Sequence, residues 1–287
     1  MMGRARQLLS KQRKNGMLPA WGAFICLSLF VFFVFSDGDF SFLLTYSSLS
    51  RCFGMLLLVV KLQRSKSAAG VSAKSLQCYV VVFATRLCSI LRHEGYLPYD
   101  KSGDWLYHVI EGGSLVATVA ALFLVQVTHN LTYEENNDSF GAIPPLPANL
   151  GALSIVAPCG LAAALLHPSL NRDWFSDTTW TYSMYTESFA ILPQLFLFQK
   201  QANARETVEP LIGHFVAALG FSRLVEMAFW MSSFTELADR YGNRHVGFLV
   251  LIAQVVHLLI MADFFYFYIT SLKRGLPLQL PTGSTNV

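Results

Sequence analysis

Three arginines stand in apolar surroundings. Arg51 precedes CFGMLLLVV, Arg86 follows CYVVVFAT, and Arg223 follows HFVAALGFS. Arginine in the middle of a membrane span costs roughly 2.5–3.5 kcal/mol on insertion scales, so such residues face a bundle interior or a watery cavity. Acidic residues share these runs: Glu111, Asp177, Glu187, Glu226 and Asp263. Glu226 follows Arg223 by three positions, which places both on one helix face. Two chemistries are open. The charges pair with one another and tie helices together, or they line a polar cavity that takes a ligand. A guanidinium fork holds a carboxylate bidentately. The second chemistry is therefore recognition of an anion with more than one carboxylate, such as a peptide C-terminus beside acidic side chains.

Other polar groups carry less. Trp180, Tyr182 and Tyr185 read as interfacial aromatics or cavity lining, and His214 and His257 as packed, hydrogen-bonded residues rather than proton sensors. Cys26, Cys52, Cys78, Cys88 and Cys159 are scattered, mostly within apolar runs, and show no metal-ligand spacing. There is no GxSxG, no HExxH, no glycine-rich phosphate loop and no basic nucleic-acid-binding face. Neither catalysis, a cofactor, a metal nor nucleic acid is expected.

The elements that must position these residues are membrane helices. Of 287 residues, 53% are hydrophobic and 14% charged, against about a quarter charged in soluble domains; mean hydropathy is +0.43. A span needs about 20 mostly apolar residues, and candidates fall at 20–36, 41–60, 76–92, 105–127, 150–167, 179–198, 211–232 and 246–270. The first follows a basic stretch, as a signal peptide would, but FVFFVFSDGDF lacks a small-residue cleavage site. It reads as a retained anchor helix. Pro193-Gln194 sits inside a span, where proline removes a backbone bond and permits a kink. The organisation expected is a basic N-terminus at 1–19, an extra transmembrane helix at 20–36, a seven-helix bundle at 41–270 and a tail at 271–287. Lysines and arginines crowd 4–14, 61–74, 200–205 and 273–274, which puts both termini in the cytosol. The sequons at Asn130 and Asn137 then lie on the cytosolic side and stay unmodified.

A shift of 137 residues lays GVSAKSLQCYVVVFATRL on TVEPLIGHFVAALGFSRL, with Arg86 on Arg223. Span 41–60 then meets 179–198, span 105–127 meets the last span, and 150–167 is left as a linker. The fold class expected is an all-α membrane protein: a SWEET/PQ-loop-like 3+1+3 parallel-repeat bundle with one additional N-terminal helix. Arg86 and Arg223 should both face the axis between the triplets.

The blocks AAGVSAKS (68–75), Arg86-Leu87, WTYSMYTESFAILPQL (180–195), ETVEPLIGHFVAALGFSR (206–223), MAFW (227–230) and DFFYFYIT (263–270) resemble the KDEL receptor family over roughly residues 42–280. The resemblance implies a SWEET-like seven-helix receptor that binds the C-terminal retention signal of soluble endoplasmic reticulum proteins in the Golgi and returns them. It implies roles for particular residues: Arg86 on the ligand's terminal carboxylate, Asp177 and Trp180 near its first residue, Glu187 in a buried proton-linked network, Arg223 opening a second contact stretch, and Asp263 in receptor transport. Glu226 and Arg51 complete the candidate ligand site. Lys273 and Arg274 stand for the tail lysines used for return in coated (COPI) vesicles. The chain departs from the family pattern at Leu44, Arg51, Leu87, Ser89, Ser222 and Ser233. Arg51 replaces a histidine and so removes a group that titrates near neutral pH. A small-solute transporter of the SWEET type and a trafficking protein without a peptide ligand remain as alternatives from other classes.

Overall fold

The computed structural model describes residues 21–34, 42–93, 104–142, 147, 150–204, 207–235, 242 and 244–280. The basic segment 1–19 and the end of the tail, 281–287, lie outside the described residues. The described helices are α1 (Trp21–Val34), α2 (Phe42–Ser65), α3 (Ala73–Ile90), α4 (Asp104–Phe123), α5 (Leu153–Leu165), α6 (Trp174–Phe189), α7 (Leu192–Asn203), α8 (Pro210–Ser232) and α9 (His245–Arg274). A π-helical segment (Leu124–Thr128) continues α4 and a 3-10 turn (Asn130–Thr132) follows it; the described residues hold no strand beyond an isolated antiparallel bridge between Val208 and Leu278.

Four helices are long and apolar enough to cross a membrane: Phe42–Ser65, Trp105–Thr128, Pro210–Ser232 and His245–Arg274. Spans were also expected at 20–36, 76–92, 150–167 and 179–198; the described helices there are shorter (α1, α5, α6) or less apolar (α3). α6 buries Ser176, Asp177, Thr181, Ser183, Thr186, Glu187 and Ser188, while Leu161, Leu165, Val116, Phe123 and Leu259 lie exposed on neighbouring helices. Polar groups face inward and apolar ones outward, as in a bundle whose solvent is lipid.

The helix order within the bundle is that of two repeats. α4 packs on both α2 and α3, and α9 packs on both α6 and α8. Between the halves, α2 lies on α8 and α3 on α6, and the linker α5 lies against α6. The first helix of each triplet thus meets the second helix of the other, the arrangement of a pseudo-two-fold axis parallel to the helices. The α2–α8 seam is close because its residues are small: a Cβ at Gly54 would sit 3.2 Å from both the Ala218 Cβ and the Phe215 carbonyl oxygen, and the Ser50 hydroxyl donates to the Ala218 carbonyl at 3.0 Å.

The span expected at 179–198 is two helices. α6 ends at Phe189, and Pro193 sits in the first turn of α7, where its missing N–H costs nothing. Gln194 then reaches across to the α2–α3 connection, accepting from the Ser72 N–H at 2.9 Å and donating to the Gly70 carbonyl at 2.8 Å. That connection can turn there because Gly70 has φ +76°. Nearby, Asp138 accepts from the Ser72 hydroxyl at 2.8 Å and the Tyr133 hydroxyl at 2.7 Å, so the loop after α4 is tied to the start of α3. Burial, and after it the Asp138 carboxylate, pushes the Tyr133 phenol well above its ordinary range. α1 docks through Phe24, stacked on Phe53 at 4.6 Å and on Tyr46 at 5.8 Å. Past the Gly275 cap of α9, the chain folds back: the Val208 N–H donates to the Leu278 carbonyl at 3.0 Å, and Leu278 and Leu280 are buried.

Candidate functional site

Arg86 and Arg223 each stand thirteen residues after the first residue of their helix, Ala73 and Pro210. At 1.5 Å per residue, that puts both about 20 Å from the end of the bundle that carries Lys273 and Arg274. The pseudo-symmetry brings them to one acceptor. Arg86 bonds Oε2 of Glu187, and Arg223 bonds Oε1 of the same carboxylate. Arg51, from α2, reaches Glu187 Oε1 at 2.8 Å, Glu111 Oε1 at 2.7 Å and Glu226 Oε2 at 3.4 Å. Arg223 also pairs with Glu226 at 2.9 Å, and Arg86 approaches Glu111 at 3.7 Å. Three guanidiniums and three carboxylates therefore form one network of zero net charge, drawn from α2, α3, α4, α6 and α8. None of the six residues is more than 6% exposed.

Neutral donors and acceptors complete it. Ser48 accepts from Arg51 at 2.9 Å and donates to Glu111 at 3.1 Å. Ser183 accepts from Arg86 Nε at 2.9 Å. Trp230 Nε1 donates to Glu226 at 3.2 Å, and Gln254 of α9 accepts from Arg223 at 3.4 Å. His257 Nδ1 lies 3.0 Å from the backbone carbonyl of Glu187. Buried charges survive in a low-dielectric interior when each is paired; every charge of this network has an opposite partner, while Arg51 Nε and Glu111 Oε2 are buried without a hydrogen bond.

Of the residues singled out in the sequence, Arg51, Arg86, Glu187, Arg223 and Glu226 come together. Asp177 and Trp180 do not join them. Asp177 accepts from the Asn171 N–H at 3.0 Å and so closes the turn before α6. Trp180 packs edge-on to Trp230, with ring centroids 6.3 Å apart, which leaves it one residue removed from Glu226. Asp263, Lys273 and Arg274 are exposed on α9, away from the network. In this conformation the six charged groups are buried and paired with one another. Glu111 belongs at the centre, yet its helix carries no motif that distinguished it from the other acidic residues. Ser48, Ser183 and Gln254 have no signal of their own in the sequence. Asp173, which caps α6, has its carboxyl lowered to about 2, first by the Ser176 hydroxyl and then by His93.

The model of the ER lumen protein-retaining receptor family matches residues 67–233, more than half of the chain. The chain belongs to the ER lumen protein-retaining receptor family. Curated relatives extend the match: the ER lumen protein-retaining receptor of Drosophila melanogaster is 30% identical, and the ER lumen protein-retaining receptors 2 of Danio rerio and Homo sapiens are 31% and 30% identical. Each alignment covers 81% of this chain and 95% of the relative. Four of the five helices that build the network, α3, α4, α6 and α8, lie in the segment that the family model matches.

Proposed function

We propose that the protein is a KDEL-receptor-like membrane receptor of the early secretory pathway. It binds the C-terminal carboxylate of an acidic retention signal at Arg86 and returns soluble endoplasmic reticulum proteins from the Golgi. Family membership supports this reading, and one observation carries it: three arginines converge on a single central carboxylate, Glu187, on the pseudo-two-fold axis. An incoming carboxylate gains Arg86 by exchange with Glu187 or Glu111, so binding is coupled to a rearrangement of the helices that carry them. Asp177 and Trp180, earlier on α6 than Glu187, would face the rest of the peptide. Asp263, Lys273 and Arg274, exposed on the outer helix, would meet the trafficking machinery, the COPI coat included. Both termini are cytosolic in this reading.

The reading is tested by titrating the purified protein with a panel of C-terminal tetrapeptides and, in parallel, measuring solute flux into liposomes that contain it. Saturable peptide binding without flux supports the receptor. Flux of a small solute without peptide binding would identify a transporter of the SWEET type instead.

A further inference from the structure

The face where α1 meets the bundle holds a second site. A crevice of about 640 Å³ opens between α1, α2, α8 and α9, within the range of small-molecule sites, about 300–1,000 Å³. Its walls are flat aromatic and aliphatic surfaces, Phe24, Tyr46, Phe221 and Phe265 among them, and none of its lining residues is ionised. Along α9 it runs from Leu258 to Ile269, about 16 Å at 1.5 Å per residue, or half of a hydrocarbon core about 30 Å thick. Three polar side chains meet at one end. Tyr268 Oη lies 2.5 Å from His214 Nδ1, and Trp21 Nε1 donates to the same nitrogen at 3.4 Å. This end is the membrane face that carries Lys273 and Arg274, since Tyr268 is little more than one helical turn before them.

We infer that the crevice between α1, α2, α8 and α9 is a binding site for a sterol of one membrane leaflet, with the sterol hydroxyl at the Tyr268–His214–Trp21 trio. Each dimension of the site fits that chemistry. The depth is that of one leaflet. No lysine or arginine is among the described lining residues, and a phenol and imidazole match a single uncharged hydroxyl. A rigid fused-ring body lies against flat ring faces without the ordering entropy that a flexible acyl chain loses. The helix that closes the crevice is α1, which stands before the segment matched by the family model, so the site is a property of this chain's added helix. The inference is independent of the peptide-binding proposal.

The test uses full-length protein in phosphatidylcholine nanodiscs, irradiated with a photoreactive cholesterol and mapped by peptide mass spectrometry. Saturable labelling within 217–224 and 258–269 is expected, competed by cholesterol but not by its 3-methyl ether. Ala262→Trp, which fills the crevice, should lower labelling at least about tenfold, as expected for a blocked apolar site. Leu259→Trp, on the lipid-facing side of the same helix at 70% exposure, should leave it unchanged. Tyr268→Phe should lower it about fivefold, the loss of one hydrogen bond. Equal labelling of Ala262→Trp and wild type overturns the inference. So does equal labelling by photoreactive phosphatidylcholine or diacylglycerol, or equal competition by the methyl ether. The ether competition uses wild-type protein alone and decides the matter even if Ala262→Trp does not fold.

Discussion

At the scale of residues, the opening arginines hold glutamates. All six members of the network were legible as charges inside apolar runs, because an ionised group in a membrane span is conspicuous, and five of them were read as ligand-site candidates. Their pairing was not legible: Arg51 and Glu111 are sixty positions apart, and nothing local marks which acid meets which base. Asp177 and Trp180 show the converse. The resemblance carried them to the ligand, while the structure gives Asp177 a backbone partner and Trp180 a ring partner. Glu187 holds three guanidiniums, so Glu187→Ala should destabilise the protein by about 3–5 kcal/mol, the cost of stranding buried charge. Unfolding of the purified protein in detergent measures it; a change below about 1 kcal/mol, the value of an exposed ion pair, would show that the arginines are held by the other two glutamates. Arg51 bears on pH. A histidine there would be charged below its ordinary pKa of about 6.5 and neutral above it, so affinity that depends on the charged form falls as pH rises through that value. Arginine keeps its charge across the whole compartment range. Ligand affinity of the wild type should therefore change little between about pH 5.5 and 7.4, a window spanning histidine's titration range, and Arg51→His should introduce a steep loss toward pH 7.4. A wild-type profile as steep as that of the variant would place the proton switch elsewhere.

At the scale of elements, the apolar runs located the helices well, and the interruptions less so. Pro193 marked a possible bend inside one span. The structure instead ends α6, restarts the chain as α7, and uses the adjacent Gln194 as a clasp on Gly70 and Ser72. That use of a glutamine across more than a hundred residues has no periodicity to reveal it. Gln194→Leu strands the Gly70 carbonyl and the Ser72 N–H in a buried place, at about 1–3 kcal/mol for each group left unsatisfied. A fall in thermal midpoint is expected, with Gln194→Glu restoring part of it by accepting again from Ser72. A midpoint of Gln194→Leu equal to wild type would mean the connection is held by the Asp138 contacts alone.

At the scale of the whole molecule, the repeat was visible because its spacing is regular and both copies keep an arginine. The structure adds what spacing cannot give: which helices of the two triplets touch, and that both arginines end on the same carboxylate. The return of residues 276–280 onto the start of α8 was not legible, since five residues, LPLQL, are too few to show a periodicity. In the proposed orientation the loop after α4 is cytosolic, so Asn130 and Asn137 should carry no glycan in cells. Resistance of the protein to endoglycosidase, with a glycan gained when a sequon is placed in the 94–103 connection, checks this; a glycan on either asparagine would invert the topology.

The central claim is that Arg86 grips the terminal carboxylate of a peptide ligand. It is tested most directly by binding one C-terminal tetrapeptide, Lys-Asp-Glu-Leu, to the purified protein as its free acid and as its C-terminal amide, with wild type and Arg86→Ala. Losing a buried ionic partner costs about 3–5 kcal/mol, or two to three orders of magnitude in affinity. The account predicts that wild type binds the acid at least about a hundredfold more tightly than the amide, and that Arg86→Ala weakens the acid to the level of the amide. Equal affinity of wild type for acid and amide, or an Arg86→Ala affinity within about threefold of wild type, would contradict it.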